Sequence, residues 1–354
     1  MNNKKYVIIF IIIFIVIINT GCWDRRDFEK YIVIKGIAVD LAKEEDRIKY
    51  TVQIIVPSPG GAKPGGVETV TVSSTGYSIY DANRNLVKQV GKKPFYGHSE
   101  IIVFSQEIAK KGIGPYLDYF LRDPEIRGRS SIIIAKGEAE EILKAKHPIE
   151  NITSTGINTM VDGLSISGSI ITVDLINFLK ELFNDTTSAV ASIIEVRNSE
   201  SASQQSDGEN SSTSETKPKE EEDKILYTEG GCFFKGDKCA GMLTRKEARG
   251  LNWISTPEDI RGPVLINPPN ESKERKIAIE ILRVSSKLKP KYINDKFSMG
   301  IYIESEGLIN EDMSHKYDIT EEGNIKQLNK RYATVINNEI INALKKTQPK
   351  GADI

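Results

Sequence analysis

The N-terminal segment constrains most strongly where and how this chain can fold. Lys4 and Lys5 precede an uninterrupted apolar run of 13 residues, Tyr6–Ile18, and a short polar stretch then leads to Cys22. As a helix this run would be only about 20 Å long, which is less than the roughly 30 Å hydrocarbon core of a bilayer. Residues 1–21 are therefore predicted to be an export signal and not a permanent transmembrane span.

Cys22 decides which kind of export signal this is. A plain secretory peptide needs only small residues at its cleavage site, whereas a bacterial lipoprotein signal needs a thiol directly after it, as found here after Gly21. Asn19 stands where such signals usually have leucine, so we expect the pattern to hold and its processing to be less efficient. We predict Cys22 as the lipidation site, whose diacylglyceryl and acyl chains would anchor the chain stably in a membrane. The alternative is an incidental cysteine beside an ordinary cleavage site or an uncleaved anchor.

The composition is that of an ordinary globular protein. The chain has 354 residues, 39% hydrophobic and 27% charged, which is enough for two or three domains. Its formal net charge is −1, and without Lys4 and Lys5 it becomes −3. This balance does not indicate a nucleic-acid partner. Because no second apolar run approaches the length of a transmembrane helix, any transport activity would belong to a partner.

Residues 22–146 are predicted to form an N-terminal α+β domain. Period-two alternation and short apolar runs predict strands at Tyr31–Asp40, Arg47–Pro57, Val67–Ser73, Glu100–Phe104 and Ser131–Ala135. Ser78 followed by Asp81 is a capping-box pattern that predicts a helix start. Residues 147–198 are predicted to be a second small domain or an extension of the first, with a loop over 147–169 and a helix capped by Thr172.

Residues 199–224 separate this part from a C-terminal domain at 225–354. The segment has no large apolar residue and is predicted to be a disordered polar linker. Beyond it, the turn at Gly236 predicts a hairpin, Thr244 with Glu247 predicts a helix start, and alternating runs predict further strands. A long amphipathic helix is predicted from about Thr320. The predicted fold class is α+β: a multi-domain, mixed α/β-sheet lipoprotein whose C-terminal domain is an antiparallel sheet with one long helix.

The sequence contains no recognisable catalytic, cofactor or metal site. His98, His147 and His315 are far apart, and no serine stands in a Gly-x-Ser-x-Gly turn. Cys232 and Cys239 lack the spacing and partners of a zinc site. They would flank one hairpin turn on the same side of a sheet, and either a disulfide or two reduced buried thiols fits that position. We therefore predict that the chain is not an enzyme and needs no cofactor.

Five motifs give the chain a resemblance to a known family. They are, in order, Gly21-Cys22-Trp23-Asp24, Gly97-His98, Arg122-Asp123-Pro124-Glu125-Ile126-Arg127, Phe234-Lys235-Gly236-Asp237-Lys238 and Arg249-Gly250-Leu251-Asn252-Trp253. Behind a lipoprotein signal, this set resembles the Ger(x)C lipoproteins, the C subunits of spore-germination nutrient receptors. The resemblance covers essentially the whole chain outside 199–224.

The resemblance implies a non-enzymatic, three-domain lipoprotein on the outer face of the spore inner membrane. Its partners would be the membrane, through Cys22, and the A and B subunits of a germinant receptor. The family has no known catalytic residues, so only Cys22 carries over as a site. A nutrient ligand is compatible with this role but is not indicated by any motif. The alternative function is an extracytoplasmic solute-binding lipoprotein of a transporter, and a third is an envelope structural protein.

The end of the sequence departs from the family pattern. Members of the resembled family typically continue past the long helix with a further helix and a final strand, whereas this sequence stops at Asp353-Ile354. We therefore expect either that the C-terminal domain is truncated or that the sequence is incomplete at this end. A missing terminal strand would leave an unpaired sheet edge, and we expect such a chain to be impaired.

Overall fold

The computed structural model describes residues 28–44, 46–56, 68–165, 168–198, 224–255, 260, 262–266, 276–293, 295–313 and 321–353, with residues 5–7 and 10 near the start. The predicted lipidation site Cys22 lies outside these residues. So do the linker, except for Lys224, and most of the predicted signal segment. Within the described part, no helix is both long enough and apolar enough to span a bilayer.

Nine strands of the described chain form one mixed sheet. They are β1 (Tyr31–Leu41), β2 (Ile48–Val56), β3 (Glu68–Gly76), β4 (Lys93–Phe95), β5 (Ile101–Ser105), β6 (Ser131–Ala135), β7 (Val190–Asn198), β8 (Lys224–Lys235) and β9 (Lys238–Leu243). The order is β3-β2-β1-β5-β6-β7-β8-β9, and β4 pairs with β1 off this path. The central pairs β1–β5, β5–β6 and β6–β7 are parallel, while the outer pairs are antiparallel.

The parallel centre of the sheet is buried on both faces, and the sequence shows why. β5 reads Ile-Ile-Val-Phe-Ser and β6 reads Ser-Ile-Ile-Ile-Ala, and every residue of both strands is buried. Continuous apolar runs of this kind suit parallel strands that are covered by helices on both faces. By contrast, β3 at the edge of the sheet is mostly polar and half-exposed.

Helices cover the two faces of this sheet. One core packs against α1 (Ile79–Val90), α2 (Gln106–Lys111), α3 (Gly114–Arg122) and α6 (Leu175–Leu182). The opposite core packs against α4 (Ala139–Lys144) and α5 (Thr153–Ser165). The predicted start of α1 is confirmed, since the Asp81 N–H donates to Ser78 Oγ over 3.1 Å.

The large sheet continues across the predicted linker. β7 precedes residues 199–223 and β8 follows them, and the two strands pair antiparallel. The hairpin predicted around Gly236 is present as β8 and β9, with Gly236 at a positive φ of 55°. The two strands therefore lengthen the sheet that begins in the N-terminal part of the chain. The division of the chain into domains stays a prediction.

Cys232 and Cys239 form a disulfide across this hairpin. Their Cα atoms are 6.1 Å apart, within the range that a disulfide spans. The register places Cys232 opposite Met242 and Cys239 opposite Phe234, with a bulge between the two pairs. Of the two alternatives that the sequence left open, the structure contains the disulfide.

The C-terminal unit is a three-stranded antiparallel sheet packed on helices. Its elements are β10 (Pro263–Ile266), β11 (Ile277–Ile293), β12 (Lys296–Asp312), α7 (Arg245–Ser255) and α8 (Glu322–Thr347). Leu328, Tyr332, Ile336 and Ile340 of α8 are buried against this sheet, as the helical spacing predicts, whereas Ile325 is 40% exposed. The predicted antiparallel sheet with one long helix is confirmed.

Two predictions for 147–198 are wrong. The sequence indicates a loop over residues 153–165, because Gly156 and Gly163 lower the intrinsic helix propensity. In the structure these residues form α5. Burial of Ile157 and Val161 against the sheet stabilises this helix instead. The following helix is capped by Asp174 and not by Thr172, since Asp174 Oδ1 accepts the Asn177 N–H over 2.7 Å.

Candidate functional site

The histidines in the described part of the chain make packing contacts and turn hydrogen bonds. The His98 ring packs edge-on against Phe95, with ring centroids 5.8 Å apart. His147 Nδ1 accepts backbone N–H groups from Ile149 and Glu150 at 3.3 and 3.0 Å, closing a turn. His315 lies outside the described residues. Neither described histidine has a nucleophile as a hydrogen-bond partner, so neither has the geometry of a general base.

An open cleft of about 1310 Å³ lies beside the ends of β1 and β3. The turn between β1 and β2 forms one wall, and the start of α1 forms another. Residues of α2 and α3 complete the cleft. Four tyrosines line it together with mixed charges: Tyr77, Tyr80, Tyr116 and Tyr119. Arg47 stacks on Tyr77, with 4.9 Å from the guanidinium carbon to the ring centroid, and Arg122 pairs with Asp118 at 2.8 Å. The cleft offers aromatic faces and hydrogen-bonding groups that suit binding.

A chain of hydrogen bonds runs beneath this cleft. Tyr50 donates to Tyr96 over 3.0 Å, Tyr96 donates to Asn83 Oδ1 over 2.9 Å, and Asn83 Nδ2 donates to Tyr119 over 2.9 Å. Tyr119 donates in turn to Asp123 Oδ2 over 3.4 Å. Burial raises the pKa of all three tyrosines well above the usual range, so each stays protonated and able to donate. The network therefore fixes the floor of the cleft and the orientation of Asp123.

A group of three carboxylates, Glu138, Glu140 and Glu141, begins α4 on the other face of the sheet. The oxygens of Glu140 are already bound by Lys49, Ser73 and Lys144. Burial alone would raise the pKa of Glu140, but these hydrogen bonds outweigh it and hold the pKa at about 2. Glu140 therefore belongs to an ion-pair network that joins β2 to α4.

The motif at 249–253 joins the two helices of the C-terminal unit. Arg249 Nε donates to Glu339 Oε2 over 2.9 Å, and Trp253 Nε1 donates to the same oxygen over 3.1 Å. A Cβ atom on Gly250 would lie 2.2 Å from the Glu339 carbonyl oxygen, so only glycine allows α7 and α8 to approach so closely. Asn252 Nδ2 donates to the carbonyls of Gly168 and Ile170, at 2.8 and 3.0 Å, which ties α7 to the N-terminal part of the chain. The side chain of Trp253 is fully buried in the core of this unit.

The hairpin motif at 234–238 makes a second connection between distant segments, here between the β8–β9 turn and the junction of α2 and α3. The Asp237 carbonyl accepts the Ile113 N–H over 2.8 Å, at the junction between α2 and α3. Gly112 and Gly114 face the Asp237 carboxylate so closely that a Cβ on either would lie within 3.0 Å of it. Both motifs thus hold separate segments of the chain together and present no reactive group.

The motif at 122–127 ends α3 at the cleft. The Asp123 carboxylate accepts the Glu125 N–H over 3.0 Å, which forms a turn, and Ile126 is buried in the main core. The motif therefore forms a turn after the helix, and its residues Arg122 and Pro124 line the cleft.

Comparison with known proteins identifies the family. Residues 24–196 match the model of the spore germination protein N-terminal domain. Residues 229–354 match the model described as spore germination B3/GerAC like, C-terminal. The chain belongs to the Ger(x)C family of spore germination proteins. The resemblance drawn from the five motifs is thereby confirmed, and this family comprises the C subunits of germinant receptors.

Relatives in Bacillus subtilis (strain 168) share this description. The putative spore germination protein YfkR is 24% identical over 348 residues, covering 96% of this chain and 83% of the relative. Spore germination protein KC is 24% identical over 360 residues, covering 99% and 85%. Spore germination protein B3 is 23% identical over 317 residues, covering 88% and 75%. These names describe germination proteins and no enzyme, and they do not favour the solute-binding alternative.

A solved structure is also similar. The crystal structure of the GerBC protein matches with a TM-score of 0.47 and 17% identity, covering 88% of this chain and 82% of that chain.

Proposed function

We propose that the chain is a non-enzymatic, membrane-tethered scaffold subunit of a spore germinant receptor. The match of both family models, over 24–196 and 229–354, carries this proposal. It is supported by the described motifs, whose hydrogen bonds connect separate segments of the chain and do not assemble a nucleophile, a base or an oxyanion site.

The mechanism that we propose is positional. Lipid chains on Cys22 would confine the chain to the membrane plane on the outer face of the spore inner membrane. Confinement raises the effective concentration of the chain beside membrane-embedded A and B subunits. The contacts around Glu339 and Asp237 would then keep the exported domains in one arrangement, so that the chain presents a fixed surface to the A and B subunits.

The test is to replace Cys22→Ala in the gene and follow both fractionation and germination of spores. We expect the protein to leave the membrane fraction and the response to nutrients to weaken. The matched control is the pair Cys232→Ala and Cys239→Ala, which removes the other two cysteines of the sequence and leaves Cys22 in place. That control should stay with membranes. Unchanged fractionation and germination of the Cys22→Ala strain would contradict the tethering role.

A further inference from the structure

The outer half of the β11–β12 hairpin extends beyond the sheet that carries it. β10 pairs with β11 only over Ile277–Glu280, and β11 then continues to Ile293. From Val284 outward the described strands β11 and β12 pair only with each other, up to Ile293 opposite Lys296. The stretch from Val284 to Tyr292 is about 26 Å long at the usual rise per strand residue.

One face of this ribbon is apolar and exposed. Alternate residues of a strand share a face, and directly paired residues lie on the same face. Leu288 and Tyr292 therefore share a face with Phe297 and Met299. Their exposed fractions are 49%, 60%, 86% and 55% respectively. The rings of Tyr292 and Phe297 contact each other at the tip, with centroids 4.6 Å apart.

The opposite face of the ribbon is basic. Lys287, Lys289 and Lys291 alternate with the apolar residues of β11 and are exposed. Lys289 lies over the ring of Tyr302 at 5.0 Å from its centroid, and none of the three lysines pairs with a carboxylate in the described part of the chain. Residues 286–302 contain four lysines and one aspartate, a net charge of +3, whereas the whole chain carries −1.

We infer that the tip of this hairpin docks on an anionic lipid bilayer. Exposed Tyr and Phe side chains at the tip of a two-stranded ribbon suit the membrane interface, where amphipathic rings sit at headgroup level. The lysines on the other face of the same narrow ribbon have long alkyl stems, so their ammonium groups can reach anionic headgroups around an inserted tip. A second copy of the chain is a poorer occupant, because each hairpin tip carries a net charge of +3 over residues 286–302 and two tips would repel each other. This contact goes beyond the proposed receptor role and does not depend on lipid at Cys22.

The experiment measures binding of the chain from residue 22 onward to vesicles by co-sedimentation, with Cys22→Ala so that no lipid is attached. One set of vesicles is neutral phosphatidylcholine, and the other contains a quarter phosphatidylglycerol. We expect binding to the anionic vesicles that weakens as salt is raised. Replacing Lys287, Lys289 and Lys291 with Gln should lower the partition constant by roughly 100-fold, at about fivefold per lysine. The matched control replaces three exposed lysines elsewhere, Lys92, Lys110 and Lys238, with Gln and should leave binding unchanged.

The aromatic tip is tested separately. Tyr292→Ser with Phe297→Ser should weaken binding to anionic vesicles by about tenfold. The control, Ile149→Ser with Phe183→Ser, removes apolar side chains that are 85% and 66% exposed outside the hairpin and should have no effect. Circular dichroism establishes that each variant is folded. Absence of binding to both kinds of vesicle, or equal binding by wild type and both hairpin variants, would overturn the inference.

A second measurement distinguishes the membrane from an acidic protein partner. Phe297→Trp in a Trp23→Phe background places an indole at the tip, while Trp253 stays buried. Brominated lipids in anionic vesicles should quench the tip indole on binding. Hairpin variants that bind vesicles as wild type does, yet fail to assemble with other receptor subunits, would assign the surface to a protein and overturn the membrane contact. Loss of vesicle binding with normal germination would leave the receptor role standing, so the two proposals fail separately.

Discussion

Replacing Glu339→Ala should destabilise the C-terminal unit more than almost any other single substitution. The side chain of Glu339 is 5% exposed and that of its partner Arg249 is 12% exposed. The carboxylate also accepts the N–H of the fully buried Trp253. Removing it leaves a buried guanidinium and a buried indole N–H without their acceptor. Breaking a buried ion pair in this way costs about 3–5 kcal/mol.

Urea unfolding of the chain, followed by fluorescence, measures this loss. The control is Glu322→Ala on the first turn of the same helix, where the carboxylate makes an exposed pair with Lys326 at 2.7 Å. We expect the control to change the free energy of unfolding by less than about 0.5 kcal/mol. Arg249→Met added to Glu339→Ala should recover part of the loss, because it removes the unpaired charge. A loss below about 1 kcal/mol for Glu339→Ala alone would refute the argument that this pair holds α7 to α8.

Three further predictions concern stability. Burial raises the pKa of Asp40 to about 6, although two helix N–H groups bind its carboxylate. The folded state therefore binds more protons, and this group lowers stability as pH rises from about 4 to about 6. Asp40→Asn should remove up to about 3 kcal/mol of this pH-dependent loss of stability. Urea unfolding at pH 4.5 and 7 measures the loss, and the same pH dependence in wild type and variant would contradict the prediction. Reducing the Cys232–Cys239 disulfide should lower the free energy of unfolding by about 2–3 kcal/mol, because the bond closes only a short loop. Urea unfolding with and without dithiothreitol measures this loss, and an unchanged unfolding midpoint would be inconsistent with the bond. Gly250→Ala should destabilise the protein by several kcal/mol. Gly163→Ala, at a position with open space in α5, should stabilise it by about 0.5–1 kcal/mol. Equal melting temperatures of the two variants would rule out the close approach of α7 and α8 at Gly250.

The strands and capped helices were predictable because their signals are local. β6 and β10 begin and end where the apolar runs do. The Thr244–Glu247 capping box is present, with the Thr244 N–H donating to Glu247 Oε2 over 2.7 Å. The full length of β11 was not predictable, because Lys287–Lys291 reads as polar and contains Pro290. Pairing with β12 stabilises that stretch as a strand.

The candidate sites depend on contacts between distant parts of the chain. Arg249 and Trp253 were singled out by the resemblance, but their common partner Glu339 lies about ninety residues further on and has no local signal. The cleft is built from the β1–β2 turn near residue 44, the start of α1 near residue 78 and helix α3 near residue 118, which the fold brings together. Neither could be read from spacing alone. Cys22, the site that the sequence did single out, stays a prediction.

Germination of spores that lack this gene, tested nutrient by nutrient, examines the receptor role most directly. We predict that the spores lose their response to one class of nutrient and keep their response to others, and that the wild-type gene restores it. Unchanged germination across the nutrients, in spores that also lack the other receptors of the same class, would contradict a role as a germinant receptor subunit.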